Sequence, residues 1–157
     1  VAWSNSKIFA AFVKDALDRT NNHDIDTNTI KAALYNNTPT PDNTVTAANS
    51  AYAAGQWITG NEVSHASHWA VGGQAITSLT VAAASTTVTF DGADTPSIDS
   101  ATTLANVYGV LVYNDTLASP VADPGICYNY FGGVQSITSG SFTVVWNAAG
   151  ICAISVA

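Results

Sequence analysis

Residues 134–156, VQSITSGSFTVVWNAAGICAISV, decide the fold class. The stretch predicts three consecutive strands with their turns marked: Val134 to Thr138 before Ser139-Gly140, Ser141 to Trp146 before Asn147-Ala148-Ala149-Gly150, and Ile151 to Val156. Ser-Gly is a two-residue hairpin signal. Phe142, Val144 and Trp146 form an unbroken apolar row at every second position. Alternate residues of a strand share a face, so that row is expected to lie on a core. The last strand carries the chain to its end and is expected to be paired, with no tail.

Working back toward the N-terminus, the same signals recur. Ile126 to Phe131 is a further strand, and Asn114 to Gly125, with Pro120 and Pro124, is a loop. Val107 to Tyr113, VYGVLVY, is a short continuous apolar run, as expected of a strand buried on both faces. Ala75 to Val81 and Ser85 to Phe90 predict strands, the second alternating through Thr86, Val88 and Phe90 before the Asp91-Gly92 turn. Thr29 to Tyr35 is another, and Asn36 to Val45, with two prolines, is a loop. Thr46 to Ile58 is Ala-rich and compatible with a short helix that Gly55 weakens.

At the N-terminus the period changes. Ile8, Phe9, Phe12, Val13, Ala16 and Leu17 make one stripe of a 3.6-residue repeat, predicting an amphipathic helix over Ser4 to Arg19. Ser4, Asn5 or Ser6 is expected to cap it. Lys7, Lys14, Asp15 and Asp18 fall off the stripe and are expected to face away. The stripe either packs on the domain's own sheet or forms an arm that docks on a partner. One helix followed by seven or eight short strands predicts an antiparallel β-sandwich, with a jelly roll as the leading topology. The chain divides into residues 1–31, helix and linker, and residues 32–157, the sandwich. At 157 residues it is large enough for one substantial core.

Composition narrows the function classes. Hydrophobic residues make up 47% of the chain, as in other globular proteins, but charged residues only 10%. The surface is therefore polar and mostly uncharged, as in extracellular or virion proteins. All four cations, Lys7, Lys14, Arg19 and Lys31, lie in the first 31 residues, and the net charge is −7. A β region without Lys or Arg cannot neutralise phosphates, which argues against nucleic-acid binding and anionic membranes as partners. No apolar run approaches the roughly 20 residues of a membrane span. The N-terminus lacks the continuous apolar stretch of a signal peptide. A start at Val1 with no Met in the chain fits removal of an initiator Met. Cys127 and Cys152, both in expected strands, are either a disulfide or two buried thiols, the latter suiting synthesis in a reducing cytoplasm.

Candidate chemistry is sparse. Glu62, His65 and His68 are the one cluster resembling metal ligands, but their spacing converges in neither helix nor strand, so no metal is expected. Asp24, Asp26 and Asn28 imitate the start of a calcium loop that then has Thr29 where Gly is required and Tyr35 where Glu belongs. Ser4-Asn5-Ser6-Lys7 matches the Ser-x-x-Lys pattern of acylating enzymes without its companion motifs, and a helix cap accounts for it. Nothing brings two of Asp91, Asp94 and Asp99 to a glycosidase separation. No cofactor motif is present and no enzymatic activity is expected. Trp57 and Trp69 lie in the least regular region, where they either roof the core or stack exposed on a sugar or in a partner's pocket. Partner-binding candidates are thus Lys7, Lys14, Arg19, Lys31, Trp57 and Trp69.

Several blocks, in order, carry a resemblance: SNSKIFAAFVKDALDRT (4–20), TNTIKAALYNNT (27–38), NEVS (61–64) with AVGGQAI (70–76), YGVLVYND (108–115) and FGGVQSITSGSFTVVWNAAGICAISV (131–156). Together they resemble a family of small tailed-phage virion proteins, across nearly the whole chain. The blocks are structural and specify no chemistry. The resemblance implies a head decoration, or cement, protein bound to the major capsid protein as a homo-oligomer, trimer or dimer, on the virion surface. The alternative is a tail or fibre component whose β-sandwich binds carbohydrate or a receptor. Ala47 to Trp69 and the low charge are particular to this chain.

Overall fold

The computed structural model describes residues 2–156. The molecule is mainly β with antiparallel sheets and a short N-terminal helix. Its centre is a hairpin of two long strands, β7 (Thr102–Asn114) and β8 (Gly125–Gly140). Strand β2 (Ile30–Tyr35) pairs with β7 from Ile30↔Asn114 to Tyr35↔Gly109. Two-residue strands finish the sheet, β1 (Lys7–Ile8) on β8 and β3 (Gln74–Ala75) on β2, giving the order β1-β8-β7-β2-β3. A three-stranded sheet is built from β4 (Thr80–Ala84), β5 (Thr87–Asp91) and β10 (Cys152–Ser155), ordered β10-β5-β4. A small ribbon joins β6 (Thr95–Pro96) to β9 (Thr143–Val144). Sheets of five and three strands around one core are sandwich-like.

The apolar run at Val107–Tyr113 occupies the second half of β7, where Val110 to Tyr113 are all buried between β2 and β8. The C-terminal stretch differs from its expected meander. Val134 to Thr138 continues β8, so Ser139-Gly140 closes no hairpin between neighbouring strands. β9 crosses to β6, and β10 crosses to β5 with the register Cys152↔Phe90 and Ile154↔Val88. The alternation located the buried face correctly, since Val144 and Trp146 are in the core and Phe142 packs against it. Partner choice depends on residues 47 to 68 positions away, which a local pattern does not contain.

The N-terminal segment is part of the core. Trp3 and Phe9 are fully enclosed, Ile8 pairs with Cys127, and the Phe9 N–H donates to the Ile126 carbonyl at 3.0 Å. Tertiary strand pairing thus overrides helix periodicity over residues 7–8, and helix α1 is confined to Ala10–Asp18. No side chain caps it: Ser6 Oγ instead accepts the Tyr130 N–H at 3.0 Å, 124 positions away. Asp15, expected to face outward, is buried, with Asn21 Nδ2 donating to its carboxylate. Leu17, expected on the buried stripe, is 83% exposed. A second helix, α2 (Ala47–Ser50), is one turn in the Ala-rich region. Trp3, Phe9 and Phe12 of this segment thus pack into the same core as the sandwich strands.

Candidate functional site

Trp57 and Trp69 do not form a recognition surface, because both are wholly buried. Trp57 meets Trp3, Phe9 and Tyr35 edge-on at centroid distances of 5.6, 6.2 and 5.1 Å. Trp69 meets Phe142 edge-on at 5.7 Å. Burying a large ring releases more free energy than exposing it on an irregular loop, and that choice sets their place. The four cations are surface groups without a common site. Lys14 pairs with Asp18 one helical turn on, and Lys31 with Asp115 at 2.9 Å. Lys7 and Arg19 are exposed and form no ion pair among the described residues.

The Glu62 segment resolves into two separate networks. Glu62 accepts the Tyr52 hydroxyl at 2.7 Å and the Gly72 N–H at 2.8 Å. The Gly72 carbonyl accepts the Tyr113 hydroxyl at 2.7 Å, and Tyr52 stacks on Tyr113 at 4.7 Å. Gly73 beside it runs so close to β2 that a Cβ would sit 2.1 Å from the Ala32 carbonyl oxygen. Burial raises the Glu62 pKa, against the opposing pull of these hydrogen bonds. The blocks NEVS and AVGGQAI are thus one bolt that fastens the 61–76 segment to β2 and β7. The histidines lie apart from it. His65 stacks on His68 at 4.9 Å, its Nδ1 accepts the Thr103 N–H, and His68 Nδ1 contacts the Asp99 carboxylate at 2.8 Å. Among the described residues no group of three or more His, Cys, Asp or Glu converges as a metal site.

The remaining motif residues serve local structure. Asn28 Oδ1 accepts the Asp24 N–H and the Asn114 amide, closing the turn before β2. Asp94 accepts the Trp146 N–H at 2.9 Å, and Asp99 accepts the Ala101 N–H, which holds its carboxyl below the ordinary range. Cys127 and Cys152 are free thiols, side by side across the seam between β8 and β10. The contact with Cys152, together with burial, holds the Cys127 thiol well above its usual pKa.

An apolar groove of about 330 Å³ lies between α1 and the three-stranded sheet. The register places Val81, Phe90 and Cys152 in one row and Ala83, Val88 and Ile154 in the next, all on one face. Phe12, Ala16 and Ile25 form the opposite wall, with Asp24 and Asp26 at its end. The inner row is sealed at Phe90, 4% exposed, whereas Val81 and Val88 are 49% and 38% exposed. His23 stands edge-on to Phe12 at 4.8 Å, and burial lowers its pKa against the pull of Asp15, so at neutral pH it adds no charge. Alternation in β5 foretold the apolar face, but not that α1 is too short to cover it.

No helix of the described residues is long and apolar enough to cross a membrane. No family model matches the chain, no curated protein matches it in sequence, and no solved structure matches it in fold.

Proposed function

We propose that this protein is a head decoration protein of a tailed phage, which works by binding the outside of the shell and not by turnover. Sequence resemblance to small virion proteins supplies the class. The observation that carries the docking mode is the open groove lined by Phe12, Val81, Val88 and Ile154. Its occupant in this reading is an uncharged, apolar segment of the major capsid protein. The chain has net charge −7, so a partner surface rich in carboxylates is repelled everywhere except where charge is missing. The sheet wall of the groove supplies such a place, since across β4, β5 and β10 the sole charged residue is Asp91, and the groove's carboxylates, Asp24 and Asp26, stand away from that sheet on the segment after α1. Apolar burial then provides most of the affinity, and salt has little effect on docking. Nucleic acid and membrane are not partners in this reading. A rigid block around a single core suits a protein that must resist strain while bridging capsomers.

The test adds purified protein to undecorated heads and counts bound copies. Saturable binding is expected, weakened by Val88→Glu, which places a carboxylate on the half-exposed groove wall. Absence of binding, or location at the tail in labelled virions, would sink the decoration reading. Unchanged binding by Val88→Glu would remove the groove from it.

A further inference from the structure

We infer that β4 is the site at which two copies of this chain join, strand to strand, about a twofold axis. The inference rests on the oligomer that shell decoration implies, and adds which edge makes it. Every sheet edge presents unpaired N–H and C=O groups, and stable monomers blunt such edges with shortness, Lys, Pro, bulges or cover. The other edges here are blunted: the stretches of β7 and β8 that β2 and β1 do not reach are broken by register shifts at Thr102/Leu104, Leu104/Val107 and Val107/Gly109. β1 and β3 have two residues each, as do β6 and β9. β10 lies along the seam with β8, where Asn129 Nδ2 donates to the Ile151 carbonyl.

β4 has none of these devices. It is five residues long, TVAAA, and exposed along its whole length. It pairs with β5 without a register shift, from Thr80↔Asp91 to Ala84↔Thr87, and has no strand on its other side. Alternate residues of such an edge turn both backbone groups outward. Three successive alanines leave the approach at the usual interstrand spacing free of bulky side chains.

Charge selects the occupant. A second copy brings the same net charge of −7, so homotypic contact needs a region without carboxylates. Residues 63–90 contain no Asp, Glu, Lys or Arg, and β4 lies within them. Antiparallel pairing about a twofold also makes TVAAA complementary to itself, since each end meets the other end of its counterpart. The product is one sheet of six strands, β10-β5-β4-β4-β5-β10. A twofold normal to that sheet keeps both Val81–Val88–Ile154 faces on one side, so the dimer presents two grooves in the same direction. Two linked grooves engage a repeating lattice with an avidity that one cannot reach.

Ala82 is the middle residue of β4 and faces its own counterpart across the axis. Sedimentation of the full chain at micromolar concentration is expected to give a dimer. Ala82→Lys and Ala82→Glu, each setting like charges opposite one another, are expected to weaken it by about tenfold or more with unchanged circular dichroism. An equimolar mixture of the two variants restores the dimer, which a misfolded variant does not do. A monomeric wild-type chain, a dimer unaffected by Ala82→Lys, or a mixture that stays monomeric overturns the pairing. Head binding separates the two readings. A monomer that saturates undecorated heads overturns the pairing and leaves decoration standing, while an Ala82-sensitive dimer that ignores heads supports the pairing and overturns decoration.

Discussion

Replacing Trp3 by Ala tests whether the N-terminal segment belongs to the core. Trp3 is 1% exposed, and its indole N–H donates to the Asn36 carbonyl at 2.8 Å. The ring meets Trp57 and Tyr128 edge-on at 5.6 and 6.1 Å, and stacks on Tyr130. It also lies against Gly109 in β7, where a Cβ would come within 2.5 Å of the indole. A buried indole withdraws about 200 Å² from water. At about 25 cal/mol per Å² that is about 5 kcal/mol, near the upper end of the 3–5 kcal/mol typical of Trp-to-Ala changes, roughly. The lost indole hydrogen bond adds little, because Asn36 regains water. We therefore expect a loss of about 4–5 kcal/mol, a large share of the roughly 5–15 kcal/mol that stabilises a domain. The assay is urea unfolding followed by circular dichroism, with the slope unchanged and the midpoint lowered. A loss below about 1 kcal/mol would show that Trp3 is dispensable to packing and reopen the reading of residues 1–31 as a docking arm.

Three further outcomes follow from the geometry. Gly73→Ala meets both a left-handed φ of +76° and the Ala32 carbonyl, whereas Gly132→Ala has φ +77° with open space around it. Gly132→Ala should cost about 1 kcal/mol and Gly73→Ala at least about 3 kcal/mol, and equal losses in chemical unfolding would refute the close approach. Trp146→Ala removes a ring that is 8% exposed and donates to Thr95 Oγ1 at 3.2 Å, so a loss of about 3–4 kcal/mol is expected by the same assay. The His23 pKa is lowered in the folded state by burial. The unfolded chain therefore binds the proton first as pH falls, so His23 contributes stability above pH ~6.5 that is lost from there down to its folded pKa. A proton NMR titration of His23 with a midpoint at or above that reference would contradict its burial beside Phe12.

Much of the fold was legible in short-range pattern. Strict alternation at Phe142, Val144 and Trp146 identified a buried face, and the apolar run at 107–113 identified a strand enclosed on both sides. Less legible was anything that depends on a distant partner. Residues 7–8 carry helical periodicity, yet their backbone groups bond β8, and the stripe is shortened at its start. Asp15 falls off the stripe, and only Asn21, brought round by the following turn, allows it to be buried. Trp57 and Trp69 sit in irregular sequence because the loops that carry them wrap inward, and irregularity by itself says nothing of exposure. The groove was half readable: β5 announces its apolar face at Val88 and Phe90, but that β10 extends this face is a matter of register. The charge asymmetry was fully readable, since net charge needs no geometry.

Joining Ser6, Lys7 and Phe9 to β8 has a consequence for the order of assembly during synthesis. The partners of that segment, Ile126 to Tyr130, leave the ribosome almost 120 residues later, on the order of ten seconds at ordinary elongation rates. Until then the segment lacks its strand partner, and a nine-residue helix is too short to persist alone. Closure of so long a loop precedes the contacts that reward it, which makes the final docking slow for a chain of this size. Any product ending before residue 125 lacks the strand that completes its beginning.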